Sequence, residues 1–262
     1  MANNTDKLIS SSFSLAIFII ATLAYFIARY YVVDRHINGS STNRTVLGIL
    51  YFLAVLGTQL SINIKNTTAL CNGTPQTNTA ILYTLIPNFF IFGTIIVLLG
   101  VLPGWKAPFS NTIGYAAVTW PSSIFGGEGV SEVFSDLVAS KGSKLIDKIC
   151  QDRSIIINEI TPTNFFPFLE RMGRDGILVN NWRQQQSAAV QSLWEFLAIK
   201  NLIAEVVWYL LTGILVITTT ANSLLDITCE SSSQQRNAAA AKFEQEQAKK
   251  VKPKAKYFTI HD

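Results

Sequence analysis

The chain has 262 residues, of which 49% are hydrophobic and only 15% charged, with 21 Lys and Arg against 17 Asp and Glu for a net charge of +4. Soluble domains carry about 25% charged residues, so this composition argues against an ordinary water-soluble domain. The net charge is small for the length, and where the charges lie matters more than their sum.

Charge is absent from residues 8–28, 45–64, 66–105 and 206–225. A bilayer core is roughly 30 Å thick and a helix rises about 1.5 Å per residue, so about 20 residues make one crossing. Soluble helices show a polar stripe instead. The pattern predicts a mainly α, polytopic membrane protein with about four transmembrane helices, a small soluble α/β-like part and an extended C-terminal tail. The expected organisation is a three-helix membrane region (1–102), an interfacial segment (103–125) and a small soluble region (126–186). An amphipathic helix then runs into the fourth span (187–225), and a basic tail follows (226–262).

The first span, 13–33, follows Lys7. A cleaved signal peptide competes with an uncleaved anchor here. The apolar run is longer than the roughly 7 to 15 residues of a signal core, and no A-x-A site precedes Arg29, which favours the anchor. Arg29 and Tyr30, with Tyr31, read as an interfacial belt, the cation snorkelling outward. The second span covers 46–64 and the third 80–102. Pro87 lies in the third span and removes a backbone donor, so Pro87 and Asn88 mark an expected kink. Asn88 has the chemistry to satisfy a freed carbonyl or to bond a neighbouring helix.

Pro103-Gly104 ends the third span, and Trp105 and Lys106 suit the membrane interface. Residues 107–127 are uncharged but rich in Pro, Ser, Thr and Gly, which reads as an interfacial segment rather than a fifth crossing. In the soluble part, 130–138 suggests a short helix, and Ser154 to Ile160 reads as a strand. Some 60 residues is near the lower limit for an independent core, so this part is expected to lean on the membrane or a partner. Apolar residues at three- and four-residue intervals over 188–204 predict an amphipathic helix that continues into the span at 206–225. Trp194 and Trp208 are placed to bracket its passage into the bilayer. In the tail, Lys249, Lys250, Lys252, Lys254 and Lys256 precede Tyr257-Phe258. A solvated tail and a docking strap are both open readings.

With four spans, the N-terminus, the 65–79 turn and the tail share one side. Bases near span ends divide four (Lys7, Lys65, Arg236, Lys242) against five (Arg29, Arg35, Arg44, Lys106, Lys200), which does not decide orientation. Early helices usually dominate, and Arg29, Arg35 and Arg44 favour a cytoplasmic first loop, at the expense of carrying the basic tail across. Sequons occur at Asn3, Asn38, Asn43, Asn66 and Asn72. Cys71, Cys150 and Cys229 are scattered, odd in number and without metal or redox spacing, and read as free thiols. His36 and His261 lack triad or metal spacing, no phosphate-binding Gly-rich motif occurs, and Glu128, Glu132 and Asp136 read as a solvated face. Neither an enzyme, a cofactor, a metal site nor a nucleic-acid partner is expected.

From Cys71 to Tyr115 the order is Asn78-Thr79, Pro87, Ile91-Phe92-Gly93, Pro103-Gly104-Trp105 and Pro108-Phe109-Ser110-Asn111-Thr112-Ile113-Gly114-Tyr115. Over these 45 or so residues the chain resembles membrane-embedded minor capsid or virion membrane proteins of large icosahedral DNA viruses, the chlorovirus and giant-virus group. The resemblance implies a structural protein in a virion internal membrane beneath the capsid, with capsid proteins and lipid as partners and no catalytic residue. Phe165, Phe166, Phe168, Lys252, Lys254, Lys256, Tyr257 and Phe258 are then candidate docking residues, although the Phe165 cluster reads equally as a small core. The alternative is a small transporter or channel subunit in a cellular membrane, which a polar path through Asn88, Thr84, Gln59 and Thr58 would favour. Few ionisable groups inside the spans and no visible inverted repeat weigh against a carrier.

Overall fold

The computed structural model describes residues 11–119, 137–139, 142, 144, 154–179, 182, 188–229, 237 and 240–246. It is mainly helical. α1 (Ser11–Arg29) ends in a π turn, Tyr30–Asp34, and α2 covers Ser41–Leu70. α3 (Thr77–Pro87), a π stretch (Asn88–Gly93) and α4 (Thr94–Val101) form one continuous helical rod. A 3₁₀ turn (Pro103–Lys106), α5 (Ala107–Phe109), a π turn (Ser110–Gly114) and α6 (Tyr115–Thr119) continue it. α7 (Ser154–Glu159), α8 (Phe165–Arg174) and the 38-residue α9 (Ala188–Leu225) follow.

Among the described residues, four helical segments are long and apolar enough to cross a membrane: Ser11–Asp34, Ser41–Leu70, Thr77–Val101 and Ala189–Leu225. Their outer faces carry exposed Phe90 (75%), Val101 (69%) and Ile20 (67%), with Leu50 and Leu215 also exposed. Apolar area on this scale is stable only against another apolar phase, and lipid supplies one.

Local chemistry sets the helix ends. Ser40 caps α2, its Oγ accepting from the Asn43 amide at 3.3 Å. At the other end Asn72 takes φ +52° and the Gly73 amide bonds the Thr68 carbonyl at 2.8 Å, a Schellman closure with Asn in the left-handed position. In the third rod Pro87 cannot donate to the Tyr83 carbonyl, and Thr220 of α9 donates to it instead at 3.2 Å. Asn88 Nδ2 donates to the Thr84 carbonyl and to Gln59 Oε1, both at 2.8 Å. The same amide therefore serves its own helix and α2.

The bundle core is aromatic: Phe18, Tyr25, Phe26, Tyr51, Phe92 and Tyr209 are buried together. Tyr25 stacks on Tyr51 at 4.3 Å between centroids, and Phe26 and Phe92 meet Tyr209 edge-on. Phe18 fills the notch left by Gly213, where a β-carbon would overlap its ring.

A second core lies outside the bundle, where Leu137, Ile157, Ile160, Phe165, Leu169 and Leu178 pack on Val190, Leu193, Trp194 and Leu197 of α9. The expected α/β-like part is not found there. Residues 154–159 are helical, and the β-pairing among the described residues is one isolated antiparallel bridge, Val138 to Leu178. The β-branched Ile155-Ile156-Ile157 run favours a strand in isolation. Contact with α9 overrides it: Ile157 and Ile160, one helical turn apart, are both fully buried in this core, and Lys200 Nζ donates to the Ile157 carbonyl and to Asn158 Oδ1. Residues 128–136, Cys150 and the lysine-rich end of the tail, on which other expectations rest, lie outside the described residues.

Candidate functional site: a buried ion cluster and a polar cavity at opposite ends of the bundle

Where α1 leaves the bundle, its last residue turns inward. Arg29 is 4% exposed; its Nε lies 2.7 Å from Asp34 Oδ2 and one terminal nitrogen 2.6 Å from Glu205 Oε2. Lys106 Nζ meets the other Glu205 oxygen at 2.5 Å, and Arg44 meets Asp34 Oδ1 at 2.6 Å. Three cations and two carboxylates thus join five pieces of chain: the end of α1, the π turn, the start of α2, the Pro103–Lys106 turn and α9. The Arg29 guanidinium also lies over the rings of Tyr25 and Phe26, at 5.7 and 4.9 Å.

This corrects the expectation that Arg29 snorkels. A cation at a helix end moves to water when water is its best partner; here two buried carboxylates offer charge-assisted bonds at shorter range. Lys106 is likewise drawn to Glu205. Tyr30 is half-buried, and Trp105 is exposed.

The segment after Pro103 climbs α9. Trp208 Nε1 donates to the Trp105 carbonyl at 2.9 Å, Phe109 meets Trp208 edge-on, and Gly114 lies against the Lys200 carbonyl. As residue number rises from 105 to 114, the α9 partners fall from 208 to 200, so the two run antiparallel. Trp194, expected at the bilayer surface, is buried in the outer core beside Phe165 and donates to the Asp34 carbonyl at 3.0 Å. Burial of both indole and NH leaves it no role as an exposed belt residue. Gln191 ties this layer to the first loop through the Arg35 carbonyl, and Arg35 pairs with Glu195 at 3.4 Å.

Of the proposed docking aromatics, Phe165 is fully buried and belongs to the outer core, because α8 turns that face toward α9. Phe168 is partly buried against the same core, and Phe166 remains 44% exposed. Lys252, Lys254, Lys256, Tyr257 and Phe258 lie outside the described residues.

The opposite end of the bundle holds a cavity of about 190 Å³, lined by Ser14, Gln59, Asn63, Ile217, Thr220 and Asn222 among others. Its neutral polar wall continues into the bonds from Asn63 to Thr84 (2.7 Å) and from Asn88 to Gln59. It has room for several waters, with polar groups on one wall and apolar side chains over the rest. At the same end Cys71 and Cys229 form a disulfide across 158 residues, with α-carbons 5.4 Å apart. The cysteines read as free thiols are therefore two partners and one remaining residue. Sequence spacing had no means of pairing them, because the fold, not the chain, brings the α2–α3 turn to the end of α9.

Comparison with protein-family models, with curated proteins and with solved structures found no match.

Proposed function

We propose that this chain is a structural membrane protein that anchors an internal viral membrane to a capsid shell. The observation that carries the structural half is the way the bundle is closed. Its centre is filled by the Tyr25, Tyr51, Phe92 and Tyr209 rings, and above them Arg29, Lys106 and Glu205 are bound to one another rather than to open space. Carriers keep intramembrane charges available to a substrate or ion path. Here those charges staple loop, helix and outer layer together, which is what holding a protein layer at fixed height above lipid requires.

The capsid half rests on the resemblance over the segment from Cys71 to Tyr115. In that reading the outer layer on α9 is the face that meets protein, with exposed Phe166 a candidate contact, and lipid is the other partner. Cross-linking mass spectrometry on intact particles tests it. Links from the outer layer to capsid subunits are the expected result; a chain absent from particles would overturn the assignment.

One observation favours the alternative, a small transporter or channel subunit. The cavity reaches Gln59, about 8 Å along α2 inside the end of the second span at Ile64 at 1.5 Å per residue, roughly a quarter of a bilayer core. Flux of small neutral solutes through reconstituted vesicles, abolished by Gln59→Leu, would establish that reading in place of the anchor.

A further inference from the structure

The anchoring role leaves open which end of the bundle faces which compartment, and two independent observations converge on an answer. We infer that the Cys71–Cys229 end lies in an oxidising compartment, and that the end bearing the ion cluster and the outer layer on α9 faces the reducing cytosol.

The first observation is the cross-link. It joins the α2–α3 turn to the residues just beyond α9. Structural disulfides form and persist where thiols are oxidised and are rare in the cytosol. Formation here is an exchange: the Cys71 and Cys229 thiols become the disulfide while a disulfide-donating oxidoreductase of that compartment is reduced to its dithiol, so electrons and protons balance.

The second is charge around the two short connections. Residues 71–76 carry no charge, and the nearest base is Lys65. The connection between α1 and α2 is flanked by Arg29 and Arg44 and contains Arg35. Orientation follows Lys and Arg counts in short loops near span ends, with acids contributing little, so the pairing of Arg29 and Arg44 with Asp34 does not remove them from the count. The basic connection belongs in the cytosol, and the neutral one across the membrane. The near-even balance over all span ends comes from Lys7, Lys106, Lys200, Arg236 and Lys242, which lie outside these two short connections.

Three consequences follow from four crossings. Asn66 and Asn72 lie on the oxidising side, whereas Asn38 and Asn43 are cytosolic. The chain leaves the bundle at Cys229, at the end opposite the outer layer, so a C-terminal epitope reports the oxidising side. The outer layer is on the cytosolic side, and Arg174 at the exposed end of α8 is a reporter of it. This orientation stands whether or not the chain anchors a capsid.

The experiment uses the full chain with a C-terminal epitope, synthesised into sealed secretory-pathway vesicles. Before reduction, a thiol-reactive polyethylene glycol should shift the denatured chain by one adduct, and after reduction by three. Protease added outside should leave the epitope intact until detergent opens the vesicles. In a Cys150→Ser background, the Arg174→Cys variant should react with a membrane-impermeant maleimide in sealed vesicles. Three adducts before reduction, an epitope digested in sealed vesicles, or an Arg174→Cys thiol reached only after detergent would each overturn the inference. The epitope and adduct counts need no substitution, so a misfolded variant does not blunt the test. The vesicles contain no capsid protein, which keeps this outcome separate from that of particle cross-linking.

Discussion

Replacing Glu205 with Gln is the sharpest test of the ion cluster. Glu205 holds Arg29 at 2.6 Å and Lys106 at 2.5 Å, and all three are buried or nearly so. After the change, Arg29 and Arg44 would share the carboxylate of Asp34, and Lys106 would lose its ion pair. Each lost contact is worth about 4 kcal/mol near 4 Å at an effective dielectric of 20. The burial penalty of the carboxylate, several kcal/mol, disappears with it. Breaking a buried pair from one side leaves a net loss of about 3 kcal/mol or more. For a chain of this size that corresponds to roughly 6–12 °C in Tm, read by thermal unfolding in detergent. Glu195→Gln serves as the control, because its partner Arg35 is half exposed and such pairs contribute at most about 1 kcal/mol. Adding Lys106→Met to Glu205→Gln removes one orphaned cation and should recover at least about 1 kcal/mol in a double-mutant cycle. Equal Tm shifts for Glu205→Gln and Glu195→Gln, or no recovery in the double variant, would refute the account of the cluster as the bundle's clasp.

Gly114→Ala places a methyl on the Lys200 carbonyl, which is helix backbone and cannot yield. It should destabilise by about 1–3 kcal/mol, whereas Gly104→Ala, with nothing near its β-position, should be close to neutral in the same thermal assay. Reducing the Cys71–Cys229 bond should lower Tm. Loop entropy for 158 residues sets an upper limit of about 5 kcal/mol, lessened because the bilayer already confines the unfolded spans, and unfolding scans with and without reductant measure it. Asn88→Leu removes bonds to Gln59 and Thr84, yet interhelical hydrogen bonds in lipid average about 0.6 kcal/mol, so its Tm should fall well short of the Glu205→Gln effect in magnitude.

The spans were legible in the amino-acid order because the bilayer imposes a local rule. Expected crossings at 13–33, 46–64, 80–102 and 206–225 fall within or beside helices at Ser11–Asp34, Ser41–Leu70, Thr77–Val101 and Ala189–Leu225. The bond of Asn88 to a neighbouring helix could be anticipated, but the carbonyl that Pro87 frees, on Tyr83, is met by Thr220 of α9 instead. The extension of α9 back to Ala188 was legible too, in its three- and four-residue apolar spacing, whereas the run of α2 on to Leu70 was not, because the polar residues beyond Ile64 are stabilised by neighbours distant in sequence.

What the order of residues could not contain is who meets whom. Arg29, Asp34, Arg44, Lys106 and Glu205 are scattered over most of the chain, and each alone looks like an ordinary charge at a helix end. Only when four rods stand side by side do they become one cluster, and only then do Cys71 and Cys229 come within bonding range. The same logic turned Ile155-Ile156-Ile157 from a strand into a helix, and Trp194 from a surface belt into a core residue. Hydrophobic length is written along the chain; charge pairing, cross-linking and burial are properties of the assembled bundle, because each depends on contacts that no short stretch of sequence can specify.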